Sequence, residues 1–264
     1  MAGDAARRWS ELLTAWTIPQ ELIDAAPESP YGFPVEIFAR RADELGDRDT
    51  PSRHRAADAL ERGGSVLDVG CGAGAAGLAL VPPAGRVVGV DEMPAMLEEL
   101  SRRAEAKGAD HAEIVGRWPD AEAEAPVTDV VVCHHVIYNV ADLAPFALAL
   151  DGHARRRVVV ESTQTHSLSW MDQLWKELHG IDRPPGPTVA DAVAVLGEAG
   201  IEPQVERWDD RFFLADLDRS EAVAFVRRRL CLSSARDADI EEALQRVQLP
   251  RSRPVATVWW DKAG

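Results

Sequence analysis

The stretch Ser65–Leu80, SVLDVGCGAGAAGLAL, constrains the fold of this chain more than any other. Ser65–Val69 reads as a short buried strand. Three glycines follow, at 70, 72 and 74, and then an alanine-rich run that predicts a helix. A strand that opens through glycines into a helix lets backbone N–H groups approach a ligand closely. Asp68 is the residue out of place. Burying a carboxylate in an apolar strand costs on the order of several kcal/mol unless something satisfies it. A cationic or hydrogen-bond-donating ligand over the loop would do so.

The rest of the chain repeats the strand pattern. Arg86–Val90 ends at Asp91, and His111–Val115, Asp129–Cys133 and Arg157–Glu161 follow, separated by helical segments. Apolar runs alternating with helices predict a parallel sheet covered on both faces. Glu202–Trp208 and Pro254–Trp260 supply two more strands. The expected architecture is α/β: a doubly wound, mostly parallel seven-stranded sheet, with an N-terminal helical lid and a helical insertion before the last strand.

Helices are expected over residues 4–16, where Trp9, Leu12, Leu13 and Trp16 share a face, and over Pro19–Ala25, Val35–Leu45 and Pro51–Arg62, the last capped by Thr50. Further helices are expected over Pro94–Lys107, Thr165–His179, 219–232 and 237–248, and from a Thr188/Asp191 capping box to Gly200. Residues 1–62 then form a cap and 63–264 the main domain, with 163–187 and 215–250 as substrate-side or covering insertions.

Composition narrows the function. The 264 residues are 46% hydrophobic and carry a formal net charge of −15. That charge argues against sequence-independent nucleic-acid binding, which needs basic surface to displace counterions. The arginine runs at 155–157 and 227–229 are expected to be solvated or salt-bridged faces. Cys71, Cys133 and Cys231 show no CxxC spacing, so neither zinc nor a disulfide framework is indicated. No run reaches the roughly 18–20 apolar residues of a membrane span. The opening stretch, MAGDAARRWSELL, lacks a signal peptide's apolar run, so a soluble, cytoplasmic protein is expected. Monomer and homodimer both remain open.

Gly72–Gly77 fits GxGxxG, a weak signal alone. Three features sharpen it: Asp68, Asp91 at the next strand end, and the aromatic, histidine-rich end of the fourth strand. VLDVGCGAG, VVGVDEMPAML and DVVVCHHVIYNV, in that order, resemble the motifs of class I S-adenosylmethionine-dependent methyltransferases over roughly residues 60–210. The resemblance implies S-adenosyl-L-methionine as cofactor and S-adenosyl-L-homocysteine as product. It places Asp68 near the methionine ammonium, Gly70, Gly72 and Gly74 under the cofactor, Asp91 on the ribose and Met93 against the adenine. Cys71, Glu92 and His134 join this cofactor set. Arg117 and Trp118 stand where the family flanks the adenine, but an acidic residue is usual there. Trp118 either stacks on adenine or belongs to the core.

His135 and then His134 are the expected substrate-facing and catalytic residues. Either could instead be a histidine bonded to backbone beside the cofactor. Histidine suits proton acceptance near neutral pH when the nucleophile is a hydroxyl. Tyr31, Phe33, Tyr138, Asn139, His166 and Trp170 are candidate substrate-binding residues. Glu161, at the end of the fifth strand, is a further candidate to reach the same pocket. His135, Tyr138 and Asn139 stand where some relatives bind a divalent metal. A hard cation prefers anionic oxygen ligands, so no metal is expected.

The expected function is methyl transfer to a small-molecule acceptor, at a hydroxyl oxygen. Three different functions stay in competition with it. A nicotinamide-dependent oxidoreductase would place an apolar residue at 68. A non-catalytic module would keep the fold and bind the cofactor without turnover. An RNA methyltransferase is disfavoured by the net charge.

Overall fold

The computed structural model describes residues 3–31, 42, 48–212, 217–247 and 249–262. The expected Val35–Leu45 helix and Phe33 lie outside the described residues.

Seven strands form one sheet in the order β3-β2-β1-β4-β5-β7-β6. They are β1 (Ser65–Val69), β2 (Arg86–Asp91), β3 (Asp110–Val115), β4 (Thr128–His134), β5 (Ala154–Thr163), β6 (Gln204–Arg211) and β7 (Ser252–Asp261). The first five run parallel, and β7 is antiparallel to both β5 and β6. Successive residues of a strand face opposite sides. Leu67, Val69, Val131, Cys133, Val158 and Val160 join one apolar cluster, and Val66, Val130, Val132 and Val159 the other. Both faces are therefore buried, which is why these strands read as unbroken apolar runs.

The N-terminal helix α1 (Asp4–Thr14) is part of the first cluster. Its Trp9 is fully buried, stacks on Tyr138 with ring centroids 5.6 Å apart, and donates its indole N–H to the Val140 carbonyl. Glu198 accepts from the Ala5 and Ala6 amides and so satisfies the helix's open N-terminus. This helix is a layer of the α/β core. The helix α2 (Gln20–Ala25) and α3 (Pro51–Ala57) follow, α3 capped by the Thr50 hydroxyl, which accepts from Arg53 N. Beyond the first strands come α4 (Pro94–Lys107), α5 (Leu143–Gly152), α6 (Asp172–His179), α7 (Val189–Glu198), α8 (Arg219–Arg229) and α9 (Asp237–Val247). Thr188 and Asp191 form the expected reciprocal capping box of α7.

Three helices differ from expectation, the first being α3, which ends at Ala57 rather than Arg62. The run after the glycine loop is not an α-helix: residues 72–77 form turns, and Leu78–Leu80 a single 3-10 turn. Gly72 and Gly74 hold left-handed backbone, and Pro82 and Pro83 lack the N–H donors that an α-helix needs. Helix α6 begins at Asp172 rather than Thr165. Upstream, Thr165 bridges to Thr188, the Thr163 hydroxyl donates to the Thr165 carbonyl, and His166 Nδ1 accepts from Leu168 N. Local side-chain bonds of this kind compete with helix.

Residues from α2, α6, α8 and α9 make a separate apolar cluster around Met171, Trp175, Val226 and Ile240. Both arginine runs are ion-paired or bonded to backbone. Arg157 meets Asp261 at 2.7 Å, Arg156 pairs with Glu61, Arg227 meets Asp237 at 2.7 Å, and Arg228 pairs with Glu28.

Candidate functional site

In open α/β sheets, ligands bind outside the carboxyl ends of the strands. Here the ends of β1, β2, β4 and β5 open into a cavity of about 340 Å³. One half is built mainly by backbone. The amides of Gly70 and Cys71 both donate to the Val90 carbonyl, at 2.8 and 3.1 Å, and so fold the loop over β2. Gly70 has φ 68°, and a Cβ there would lie 2.4 Å from Val136 Cγ2. At Gly72, with φ 50°, an added Cβ would meet nothing within 4 Å. The loop is thus tight where it passes the end of β4 and open at its tip.

Two carboxylates hold this loop. Asp91 accepts from Gly72 N and Met93 N, each at 2.9 Å. Asp68, 1% exposed, accepts from Gly77 N at 2.7 Å. Burial pushes the Asp68 carboxyl up to about 7; the Gly77 N–H opposes this and the Asp91 charge adds to it. An ionised carboxylate has about four acceptor positions, so each retains capacity toward a ligand. Arg53 adds a cation to the same wall. Its Nε donates to the Ala79 carbonyl at 2.9 Å.

Buried side chains build the other half. His134 and Glu161 lie opposite each other in the β4–β5 register. His135 follows with φ 61°, a left-handed conformation costly for a residue with a Cβ. Its amide donates to the Glu161 carbonyl at 2.7 Å, and its Nε2 lies 3.0 Å from Glu161 Oε1 and 3.2 Å from Arg253 Nη2. His134 Nδ1 stands 3.9 Å from Glu161 Oε2, and its Nε2 is buried without a partner. Burial alone would raise the Glu161 carboxyl, but His134, His135 and the Ser52 hydroxyl hold it well below the usual carboxylate range. Burial pushes the His134 ring down from its ordinary value against the pull of Glu161, which favours its neutral form. The charge network continues outward. Arg253 reaches Asp210 at 3.7 Å, and Asp210 pairs with Arg48 at 2.7 Å.

The expected residues divide accordingly. Asp68, Gly70, Cys71, Gly72, Asp91, Glu92, Met93, Arg117 and Trp118 line the cavity, as do Tyr31, His134, His135 and Asn139. Gly74 stands behind the loop, against Leu78 and Leu100. Trp118 is 5% exposed, edge-on to His153, with its indole N–H buried and unpartnered. Three substrate candidates do not reach the cavity. Tyr138 is stacked on Trp9, and its hydroxyl donates to the Thr163 carbonyl. His166 lies stacked on Trp16, ring centroids 3.8 Å apart, and burial holds its imidazole down at about 3. Trp170 packs edge-on to Phe212. An aromatic or histidine after a strand is as readily core as site, and sequence spacing did not separate the two.

Arg48, Ser52, Arg53, Asp210 and Arg253 were missed. Thr50-Pro51 fixes where α3 starts and hence where Ser52 and Arg53 point. No local signal marks Asp210 or Arg253, whose pairing depends on the β6–β7 register. Burial raises the Cys71 and Cys133 thiols, so neither is a thiolate nucleophile. Among the described residues, no group of three His, Cys, Asp or Glu is arranged to hold a metal ion.

Residues 66–154 match the family model of a methyltransferase domain. Over those residues the chain is similar to methyltransferase domains, and its seven-stranded sheet has the Rossmann-like methyltransferase fold. Proteins of this family use S-adenosylmethionine. Solved structures share the fold. A methyltransferase from Thiobacillus denitrificans, in complex with S-adenosylhomocysteine, is 18% identical with a TM-score of 0.54, covering 87% of this chain and 99% of its own. A cyclopropane-fatty-acyl-phospholipid synthase-like protein from Lactobacillus casei is 17% identical with a TM-score of 0.55, covering 83% and 98%. The YcgJ protein from Bacillus subtilis is 18% identical with a TM-score of 0.55, covering 81% and 98%. A comparison with curated protein sequences gives no match. The methyltransferase-domain match ends at Ala154, the first residue of β5. It takes in the backbone-built half and the two histidines, and leaves out Glu161, Asp210 and Arg253. Among the described residues, no helix is long and apolar enough to cross a membrane.

Proposed function

We propose that this chain transfers a methyl group from S-adenosylmethionine to a small-molecule acceptor, at a hydroxyl oxygen. The observation that carries the reading is one cavity with two chemically different halves. The loop half suits the cofactor. Asp68 offers a buried carboxylate with spare acceptor positions to the ammonium, Asp91 offers the same to the ribose hydroxyls, and Met93 gives an apolar face to the adenine. The orphaned Trp118 N–H lines the same cavity and would gain an acceptor from a bound heterocycle. Arg53 supplies positive charge for the cofactor's carboxylate. Bound there, the cofactor supplies an electrophilic sulfonium methyl.

The histidine half serves the acceptor. Holding its oxygen in line with the methyl supplies most of the rate, through proximity and orientation. A neutral imidazole can take the hydroxyl proton, and an ionised Glu161 beside it stabilises the imidazolium that results. The cavity-lining Tyr31 and Asn139 complete the acceptor wall.

Isothermal titration separates the reading from a nicotinamide-dependent one. S-adenosylhomocysteine is expected to bind and NADH is not. Binding of NADH without S-adenosylhomocysteine would make the chain a nicotinamide-dependent oxidoreductase. Once an acceptor is identified, His135→Ala should lower kcat with cofactor affinity retained. Unchanged turnover would remove His135 as the base.

A further inference from the structure

The acceptor half also carries an observation about charge. The chain holds 44 acidic residues against 29 lysines and arginines, so an anion approaching it meets net repulsion. Yet the wall formed by residues 48–53 brings two arginines, Arg48 and Arg53, to the lining of one cavity. The two are neighbours in space, since Arg53 Nη1 donates to the Arg48 carbonyl at 3.4 Å. Among the described residues, the Arg53 side chain bonds the backbone carbonyls of Ala79 and Arg48. Arg48 is held differently. Its side chain is 33% exposed, and Nη1 lies 2.7 Å from Asp210, whose own side chain is 3% exposed. Asp210 sits opposite Arg253 in the β6–β7 register and is shared with it at 3.7 Å. One buried carboxylate thus serves two guanidiniums, while Glu161 faces His135 and His134.

A guanidinium has five donors, and the ion pair with a buried carboxylate holds Arg48 at this wall while engaging only part of that donor set. We propose that Arg48, positioned by Asp210, is a recognition residue for an anionic group on the acceptor, so that the substrate class is a small hydroxylated carboxylate. This deepens the methyltransferase reading and rests on it. A cationic acceptor would meet like charge at Arg48, and a neutral one would gain no charge-assisted contact from it. Hydrogen bonds to charged groups discriminate strongly against uncharged analogues.

The test uses the full chain with saturating S-adenosylhomocysteine and three probes of one shape: benzoate, benzamide and benzylamine. Affinities are read by ligand-observed NMR. Benzoate should bind about tenfold or more tightly than either of the others, as expected for one charge-assisted contact. R48Q should collapse that preference toward unity, and R48K, which retains the charge, should keep a measurable part of it. Thermal melts of both variants confirm folding, and R48K carries the test if R48Q does not fold. Equal binding of the three probes, no binding of benzoate, or a benzoate preference that survives R48Q would overturn the proposal. S-adenosylhomocysteine is titrated first. Its failure to bind sinks the cofactor reading, whereas its binding followed by charge-blind probes sinks only the anionic acceptor.

Discussion

In the loop half of the cavity, positioning is done by backbone N–H groups: Gly72 and Met93 on Asp91, Gly77 on Asp68, Gly70 and Cys71 on Val90. In the histidine half it is done by side chains drawn from five separate places: residue 48, the end of β4, and β5, β6 and β7. The first arrangement is local, spanning residues 68–93. The second exists only after the whole sheet has formed. A local backbone cradle tolerates change around it. A buried charge network fails when one member is removed, because its partners are left charged and without water.

The largest expected effect follows from that contrast. Glu161→Ala leaves His135 and Arg253 facing a gap where an ionised carboxylate stood. It should destabilise the fold by about 3–5 kcal/mol, a fall in Tm of roughly 10 °C. Asp91→Ala removes a carboxylate at the cavity's other end that is partly solvated. It should cost about 1 kcal/mol and show itself mainly as lost affinity for S-adenosylhomocysteine. Comparable melting temperatures for the two variants would erase the distinction between the halves.

What could be read in the sequence follows the same line. Val66–Gly74 and Val87–Asp91 announced a strand, a loop and a strand-end carboxylate, because each of those features is made by neighbours in the chain. Asp68 was visible as a polar residue in an apolar strand, although its partner within the chain, the Gly77 amide, was not anticipated. The helix expected after the loop failed on Pro82-Pro83 and on glycines that stay in turn conformation. Tyr138 and His166 looked like pocket residues because they follow strand ends. They are instead packed by Trp9 and Trp16, which lie more than a hundred residues away in sequence. Asp210 and Arg253 lie just beyond the expected strands Glu202–Trp208 and Pro254–Trp260, on an edge strand and its neighbour. Only the β6–β7 pairing shows that they face inward together.

A smaller effect tests the loop half by pH. The Asp68 carboxyl is pushed up to about 7, from an ordinary value of 3.8, chiefly by burial. A raised carboxyl is protonated in the folded protein across that interval, so its ionised form gains population as pH rises through 7. Affinity for the ammonium-bearing S-adenosylhomocysteine should therefore climb by about tenfold from roughly pH 6 to pH 8. In Asp68→Asn that climb should flatten, with weaker binding throughout. The same linkage makes Asp68 a stability cost that grows as pH rises from about 4 to about 7. Asp68→Asn should therefore be less pH-sensitive in its melting temperature over that range. A wild-type affinity flat across pH 7 would place another group opposite the ammonium.

The division of one cavity into a backbone-built cofactor half and a side-chain-built acceptor half is tested most directly by amide hydrogen exchange, with and without S-adenosylhomocysteine. Protection should rise at residues 68–77 and 91–93, and at 117–118, with little change at 206–211 and 252–257. Protection centred on the β6–β7 pair with none at the glycine loop would contradict it.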